Sequence, residues 1–455
     1  MGAILRPIRG RHLPSNSCVE ELKHVGGRED EYALTGLATQ YQLRGGGKDY
    51  QYDGRWDIEP KSAASFTTRL IVWRPARQDA FNGTVLVLWN NVSTGVDVCL
   101  APARTRQLVA DGFAVVGVSA QRVGVHGRGP VTLASLPGIV IPTPPPALRE
   151  HDPERYGDLD HPGDGYSFDI FTQAGKALRE TSGTIEPLGD LEAQHLVGVG
   201  VSQSANRLAT YVNAIQKHSQ RFDAFLLFVY AGVGCHLDAT LVPDPPVSPY
   251  DIAHLLPWHS HLLREDLAIP ILVVNSETEA GECHPNHNPD TEFMRWWEFA
   301  GTAHTGVSDP EELAAMRAVG GCTVSFEPAW RGAALAMARW LGGETPLPQS
   351  RLVPAGDPPA FERDDHGNAI GGVRLPELEA PLGTHVGQSP PGALLNMTGS
   401  STPFPRKVVD QLYGTRDEWL ARYRTALDHL VATGIFAPDD AVVILDRAEL
   451  ANFPD

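Results

Sequence analysis

Apolar and polar residues alternate with period two over Glu31 to Arg44 and over Phe66 to Trp73, the pattern of strands with one buried face, with the turn region Gly45-Gly-Gly47 between them. These two runs are expected at the antiparallel edge of a sheet. Further along, Thr84 to Trp89, Phe113 to Val118, Gln194 to Val201 and Ile269 to Asn275 are short and almost continuously apolar. Such runs fit strands buried on both faces, as in a parallel sheet. Phe222 to Tyr230 and Trp296 to Phe299 read as two more strands. Helical stretches fall between them, at about Val96 to Ala110, about Ser167 to Thr181, Gln203 to Ile215 and Ala329 to Leu341. Strand, helix and strand at this spacing make a right-handed parallel crossover. The expected fold is α/β, a mostly parallel central sheet flanked by helices.

Two segments break the pattern. Gln121 to Gly165 is rich in Pro, Gly and charge around Ile141-Pro-Thr-Pro-Pro-Pro146, and Ala231 to Asp266 carries His236, His254, His259 and His261. Both are expected to be insertions, at about 121–165 and 231–266, that wall a pocket at the carboxyl ends of the strands. Beyond a Pro-rich linker, Gly342 to Pro359, come a turn at Asp365-His-Gly-Asn368, a strand-like Gly372 to Leu375, and helices at Pro405 to Leu412 and Thr415 to Thr433. Trp419, Tyr423, Leu427, Leu430 and Val431 recur at helical spacing and form one apolar face, read as packing. Asp365, Asn368 and Arg374 are read as structural. The expected organisation is a core over 1–341 and an extension over 342–455 packed on it.

Of the 455 residues 42% are apolar, ample for a large core, and the formal charge of -18 argues against nucleic acid or an anionic membrane as partner. No stretch has the unbroken apolar length of a bilayer span, and the first ten residues lack the apolar region of a signal peptide, so a cytoplasmic location is expected unless a leader has been removed. Five scattered cysteines, an odd number, do not suggest a disulfide framework.

The segment Gly198-Val-Gly-Val-Ser202-Gln-Ser-Ala-Asn206 joins a strand to a helix with a serine at the apex. This is the layout of a nucleophile elbow, in which a strained turn requires small neighbours. Gly200 supplies one of them. The other position carries Ser204 where the consensus has Gly, so the string is GxSxS. A hydrolase of this layout places its acid and its base after the serine in that order, and the chain offers Glu277 or Glu279 past the strand ending at Asn275, then His304 in the loop Gly301-Thr-Ala-His304-Thr-Gly306. A hydroxyl needs a base at neutral pH, which makes Ser202, Glu279 and His304 a candidate triad of nucleophile, orienting acid and base. The oxyanion would be met by the backbone N–H of Gln203 and of Asn91, with Val92 as the alternative to Asn91.

The strings GVSQSANRL (200–208), PILVVNSETE (270–279), WEFAGTAH (297–304), HPGDGYSFDIF (161–171) and DDHGNAIGGVRLPELEAP (364–381) resemble a bacterial group of large α/β-hydrolase-domain proteins, from about Glu31 to about Ala451. The resemblance implies a hydrolase with a serine nucleophile and an acid at the offset of Glu279, and it implies little about substrate. Many relatives carry Gly where this chain has Ala205.

The expected activity is hydrolysis of a small to mid-sized carboxylic ester or lactone through an acyl-enzyme on Ser202, with no cofactor. Pocket walls containing Tyr166, Phe171 and Trp258 suit a short to medium acyl or small aromatic ester. The alternatives are an acyltransferase with the same triad and a non-catalytic ligand-binding homologue. His259 and His261, with Cys283, His284 and His287, have spacings that can bind zinc, but serine chemistry needs no metal and none is expected. Composition says nothing about oligomeric state.

Overall fold

The computed structural model describes residues 3–127, 146–180, 185–238, 258–289, 291–306, 310–344, 349–356, 360–388, 397–450 and 453. The chain divides into two compact units, Met1–Leu227 with Val233–Ile269, and Phe228–Gly232 with Pro270–Asp455. Of the two expected insertions, residues 128–145 and 239–257 lie outside the described residues, and with them His254 and all of the Pro-rich run Leu136 to Pro146 except Pro146.

In the first unit the strands β1 (Ile4–Pro7), β2 (Gly27–Leu43), β3 (Ile58–Pro75), β4 (Thr84–Trp89), β5 (Ala114–Val118), β6 (His195–Val201) and β7 (Ala224–Phe228) lie side by side in the order β1-β2-β3-β5-β4-β6-β7. The first three are antiparallel, and β3 also meets β5 antiparallel. β4 pairs parallel with both β5 and β6, and further along the same unit β8 (Val233–Cys235) pairs antiparallel with β9 (Trp258–Ser260). The alternating runs thus form the antiparallel edge, longer than the pattern suggests because β2 and β3 pair along their whole lengths. Every residue of β4, β5 and β7 is buried, which is why they read as unbroken apolar runs. The edge is tied down by Glu31, whose buried carboxylate pairs with Arg69 at 2.8 Å and with Arg155 at 2.6 Å.

The helix expected from about Val96 begins only at Pro102 and runs to Ala110, since proline suits the first helical turn, where its missing N–H costs nothing. The helix Ser167–Ala177 carries Phe171, which is fully buried between Trp89 (ring centroids 5.0 Å apart) and Phe222 (4.9 Å). Phe171 is therefore a core residue rather than a pocket wall.

The second unit is built on β10 (Ile271–Ser276) and β11 (Met294–Phe299), which pair parallel. The expected linker is part of this body. Glu298 N–H donates to Ser350 C=O at 2.9 Å and Val373 N–H donates to Glu298 C=O at 2.7 Å, so two stretches beyond residue 342 continue the backbone pairing of β11. The extension thereby supplies hydrogen-bond partners that the edge of β11 would otherwise lack.

The string 364–381 is a folded bracket. Asp364 Oδ1 accepts the N–H groups of His366 and Asn368, Gly367 takes a positive φ of 79°, and buried Asn368 holds His385 N–H at 2.7 Å. Within the helix Arg416–Ala432, Trp419, Tyr423, Leu427 and Leu430 are buried. Trp419 Nε1 donates to Ala380 C=O at 2.9 Å, so the aromatic stripe is core. None of the five cysteines is in a disulfide, and no helix among the described residues is long and apolar enough to cross a membrane.

Candidate active site

Ser202 follows β6 directly and precedes the helix Gln203–Thr210. Its backbone sits at φ 56°, ψ -122°, outside the regions that ordinary side chains favour. A non-glycine residue held there costs on the order of 1–3 kcal/mol and persists only where its surroundings over-determine it. Those surroundings are visible. A Cβ on Gly200 would lie 2.7 Å from Ser204 C=O and 2.8 Å from Ala205 Cα, so only glycine lets the strand pass the helix this closely. Ala205 is itself fully buried against that crossing. Ser204 Oγ accepts the Val201 N–H at 2.9 Å and donates to the Val201 C=O at 3.0 Å.

Gln203 opens the helix, and the N–H groups of a first turn have no acceptor within the helix. Asn91 does not fit the role expected of it. Its N–H donates to Val98 C=O at 3.0 Å, and Val98 returns a 2.8 Å bond, closing the loop after β4 on itself. An oxyanion donor must point its N–H at the substrate, so Asn91 is withdrawn from the oxyanion hole. Its side chain instead donates from Nδ2 to Val201 C=O at 2.8 Å, bracing the elbow from the β4 side.

In the second unit, Ser276-Glu-Thr-Glu279 lies at the carboxyl end of β10. It is the N-terminal end of a helix, Glu277–Cys283, capped by Ser276, and both glutamates are buried. Their partners differ. Glu277 Oε2 accepts Gly301 N–H at 2.7 Å, and Oε1 accepts Gly387 N–H at 3.1 Å and pairs with Arg363 at 2.6 Å. Glu279 Oε1 lies 2.5 Å from His304 Nδ1, while its other oxygen accepts Ser276 Oγ. Thr278 Oγ1 accepts the His304 N–H at 3.2 Å, so successive residues of this short helix hold both the imidazole and its loop.

Burial disfavours the imidazolium of His304, but the charge and hydrogen bond of Glu279 outweigh it and raise the pKa above its ordinary 6.5. The structure thus brings two of the expected site residues, Glu279 and His304, into direct contact, and it places Ser202 with Gln203 at the strained turn of the first unit.

The histidines weighed as zinc ligands are packed otherwise. His259 stacks on Tyr50 at 4.3 Å, and His261 lies edge-on to Trp56, its pKa lowered to about 4 by burial. His287 stacks on Trp296 at 4.4 Å with Nε2 2.7 Å from Glu298, and buried Cys283 has its thiol pKa pushed well up by desolvation. Among the described residues no group of three or more His, Cys, Asp or Glu could hold a metal ion.

Inspection of the sequence missed Ser204 and the Asn91 side chain as braces of the elbow. The departure of Ser204 from the Gly consensus was the available signal. The Tyr166 hydroxyl lies 2.9 Å from Ser62 Oγ, and of Trp258 only its backbone, in β9 (Trp258–Ser260), is described.

A family model described as an alpha/beta hydrolase domain matches residues 4–446. No curated protein matches the chain in sequence. Structures that resemble it include the esterase Est22 (13% identity, 47% of this chain and 48% of that one, TM-score 0.26). Another is brefeldin A esterase, a bacterial homologue of human hormone sensitive lipase (15%, 44% and 41%, 0.21). A third is a cold-adapted esterase from an Arctic intertidal metagenomic library (11%, 55% and 72%, 0.25). The chain spans less than half the length of the first two, and none of these likenesses says what it acts on. With the match running over nearly all of its length, the chain belongs to the alpha/beta hydrolase domain family.

Proposed function

We propose that the protein is a serine esterase that cleaves a small to mid-sized carboxylic ester or lactone through an acyl-enzyme on Ser202. The observation that carries this reading is the backbone of Ser202, a non-glycine residue at φ 56° between a buried strand and a helix, next to a glycine that cannot be replaced without a clash. Strain of this kind is kept where it does work.

In the proposed reaction Ser202 Oγ attacks the ester carbonyl carbon while His304 Nε2 takes its proton. Glu279, on Nδ1, keeps the imidazole in the tautomer that carries its proton there and makes Nε2 the basic nitrogen, and it stabilises the imidazolium. The Gln203 N–H meets the developing oxyanion. His304 then returns the proton to the departing alkoxide, and water repeats the cycle on the acyl-enzyme to release the acid. Esters of short to medium acyl or small aromatic groups are the proposed substrates, and no cofactor takes part.

Labelling with a fluorophosphonate, mapping of the modified residue and an ester panel test the reading. Label on Ser202 and loss of several orders of magnitude in kcat for Ser202→Ala are expected. Label elsewhere, or a Ser202→Ala variant that keeps its turnover, would overturn it. Competing alcohols in the assay would expose transfer instead of hydrolysis.

A further inference from the structure

Asp164 belongs to the string HPGDGYSFDIF, which the proposed chemistry leaves without a role. Its carboxylate is buried, and so are the two side chains it bonds, Arg207 and Gln121. Oδ2 pairs with Arg207 at 3.2 Å and accepts Gln121 Nε2 at 3.3 Å, while Oδ1 accepts Arg122 N–H at 2.8 Å. Gln121 Oε1 in turn accepts Trp89 Nε1 at 3.1 Å and Gln203 Nε2 at 3.1 Å. Arg207 and Gln121 have no exposed surface, Asp164 has 2% and Gln203 7%.

The members come from separate parts of the chain. Trp89 ends β4, Gln121 follows β5, Asp164 leads a tight turn before the helix Ser167–Ala177, and Gln203 and Arg207 flank the first turn after the nucleophile. The chain of bonds therefore runs from the residue immediately after Ser202, through Gln121, to a carboxylate that holds the same helix again at Arg207. Among the described residues Gln203 Oε1 has no hydrogen-bond partner, and the bond from Nε2 to Gln121 orients the amide.

A buried ion pair is a poor source of stability in itself, because desolvating both charges offsets most of their attraction. What it supplies is a fixed geometry. Oxyanion stabilisation depends on donors being in place before the charge forms, with little tolerance for displacement.

We propose that Gln121 and Asp164 are positioning residues that hold the first turn after Ser202, and with it the Gln203 N–H, in the geometry the oxyanion requires. The proposal rests on the esterase reading. Gln121→Met keeps the side-chain length and removes the hydrogen bonds that reach Gln203, Asp164 and Trp89. It acts through position alone, so kcat should fall by about 10–100-fold, the range seen when an oxyanion donor is disturbed, with KM within about twofold. A trifluoromethyl ketone, which mimics the tetrahedral oxyanion, should lose affinity by a similar factor. The pH at which activity rises should not move, since His304 is untouched.

Should Gln121→Met not fold, Gln203→Met cuts the same link from the other end. Fluorophosphonate labelling of the wild type separates the two failures. If Ser202 is not labelled, the esterase reading fails. If Ser202 is labelled and a folded variant at either position keeps both its kcat and its ketone affinity, the positioning role alone is refuted. A rise in KM without a change in kcat would refute it equally.

Discussion

Ser204 Oγ bonds both backbone groups of Val201, accepting its N–H at 2.9 Å and donating to its C=O at 3.0 Å. The hydroxyl thereby closes the turn whose apex is Ser202, at a position where the usual pattern has no side chain. Val201 C=O also receives Asn91 Nδ2 at 2.8 Å, but for its N–H Ser204 is the acceptor the structure shows.

Ser204→Ala should therefore destabilise the protein by about 0.5–1.5 kcal/mol, the net worth of a hydrogen bond at a half-buried position, as read from chemical denaturation. Fluorophosphonate label should remain on Ser202 in this variant. Label that disappears with Ser204 while Ser202 is intact would reverse the assignment of nucleophile.

The pH dependence follows from the Glu279 contact. His304 must be neutral to accept a proton, and its pKa is raised, so kcat/KM should rise through an ionisation lying above 6.5. Glu279→Gln removes the charge that favours the imidazolium. Its limb should move to lower pH, and its rate should fall by up to about 10⁴-fold as the tautomer is no longer held. Glu282, on the same helix, also raises the His304 pKa, so Glu282→Gln should move the limb down without the loss in rate. A limb that stays in place in both variants would show that another group is the base.

Glu277 offers the opposite signature. Its carboxylate ties Gly301, Gly387 and Arg363 together and has no contact with the imidazole ring. Glu277→Gln should lower stability by about 1.5–3 kcal/mol, the range for hydrogen bonds to a charged group, and leave the position of the pH limb unchanged. Thermal unfolding and a pH profile on one sample decide between the two glutamates.

Dialysis against a strong chelator should leave turnover unchanged, because in the proposed reaction serine, imidazole and carboxylate together supply nucleophile, base and orienter. Stoichiometric zinc in elemental analysis, lost together with activity, would revive the histidine clusters as ligands.

Much of the architecture was legible in the sequence because burial writes itself into local composition. Strands buried on both faces must be apolar throughout, so β4, β5 and β10 could be read from single runs. The elbow was legible for a related reason, since close passage of strand and helix admits only small residues, and Gly200 marks it. The order of Ser202, Glu279 and His304 along the chain is likewise a property of the sequence alone.

What the sequence leaves open turns on groups that lie far apart in it. Nothing local distinguishes Glu277 from Glu279. The choice depends on which carboxylate meets the imidazole 25 residues later and which meets Arg363, 86 residues away. Asn91 looked suited to an oxyanion hole until the backbone of Val98 took its N–H. Phe171 looked like a pocket wall until Trp89 and Phe222 closed around it, and the Pro-rich linker turned out to pair with β11. Composition and periodicity report how much of a segment is buried and on which face. They do not report the hydrogen-bond partner waiting there, which exists only once distant segments have been brought together.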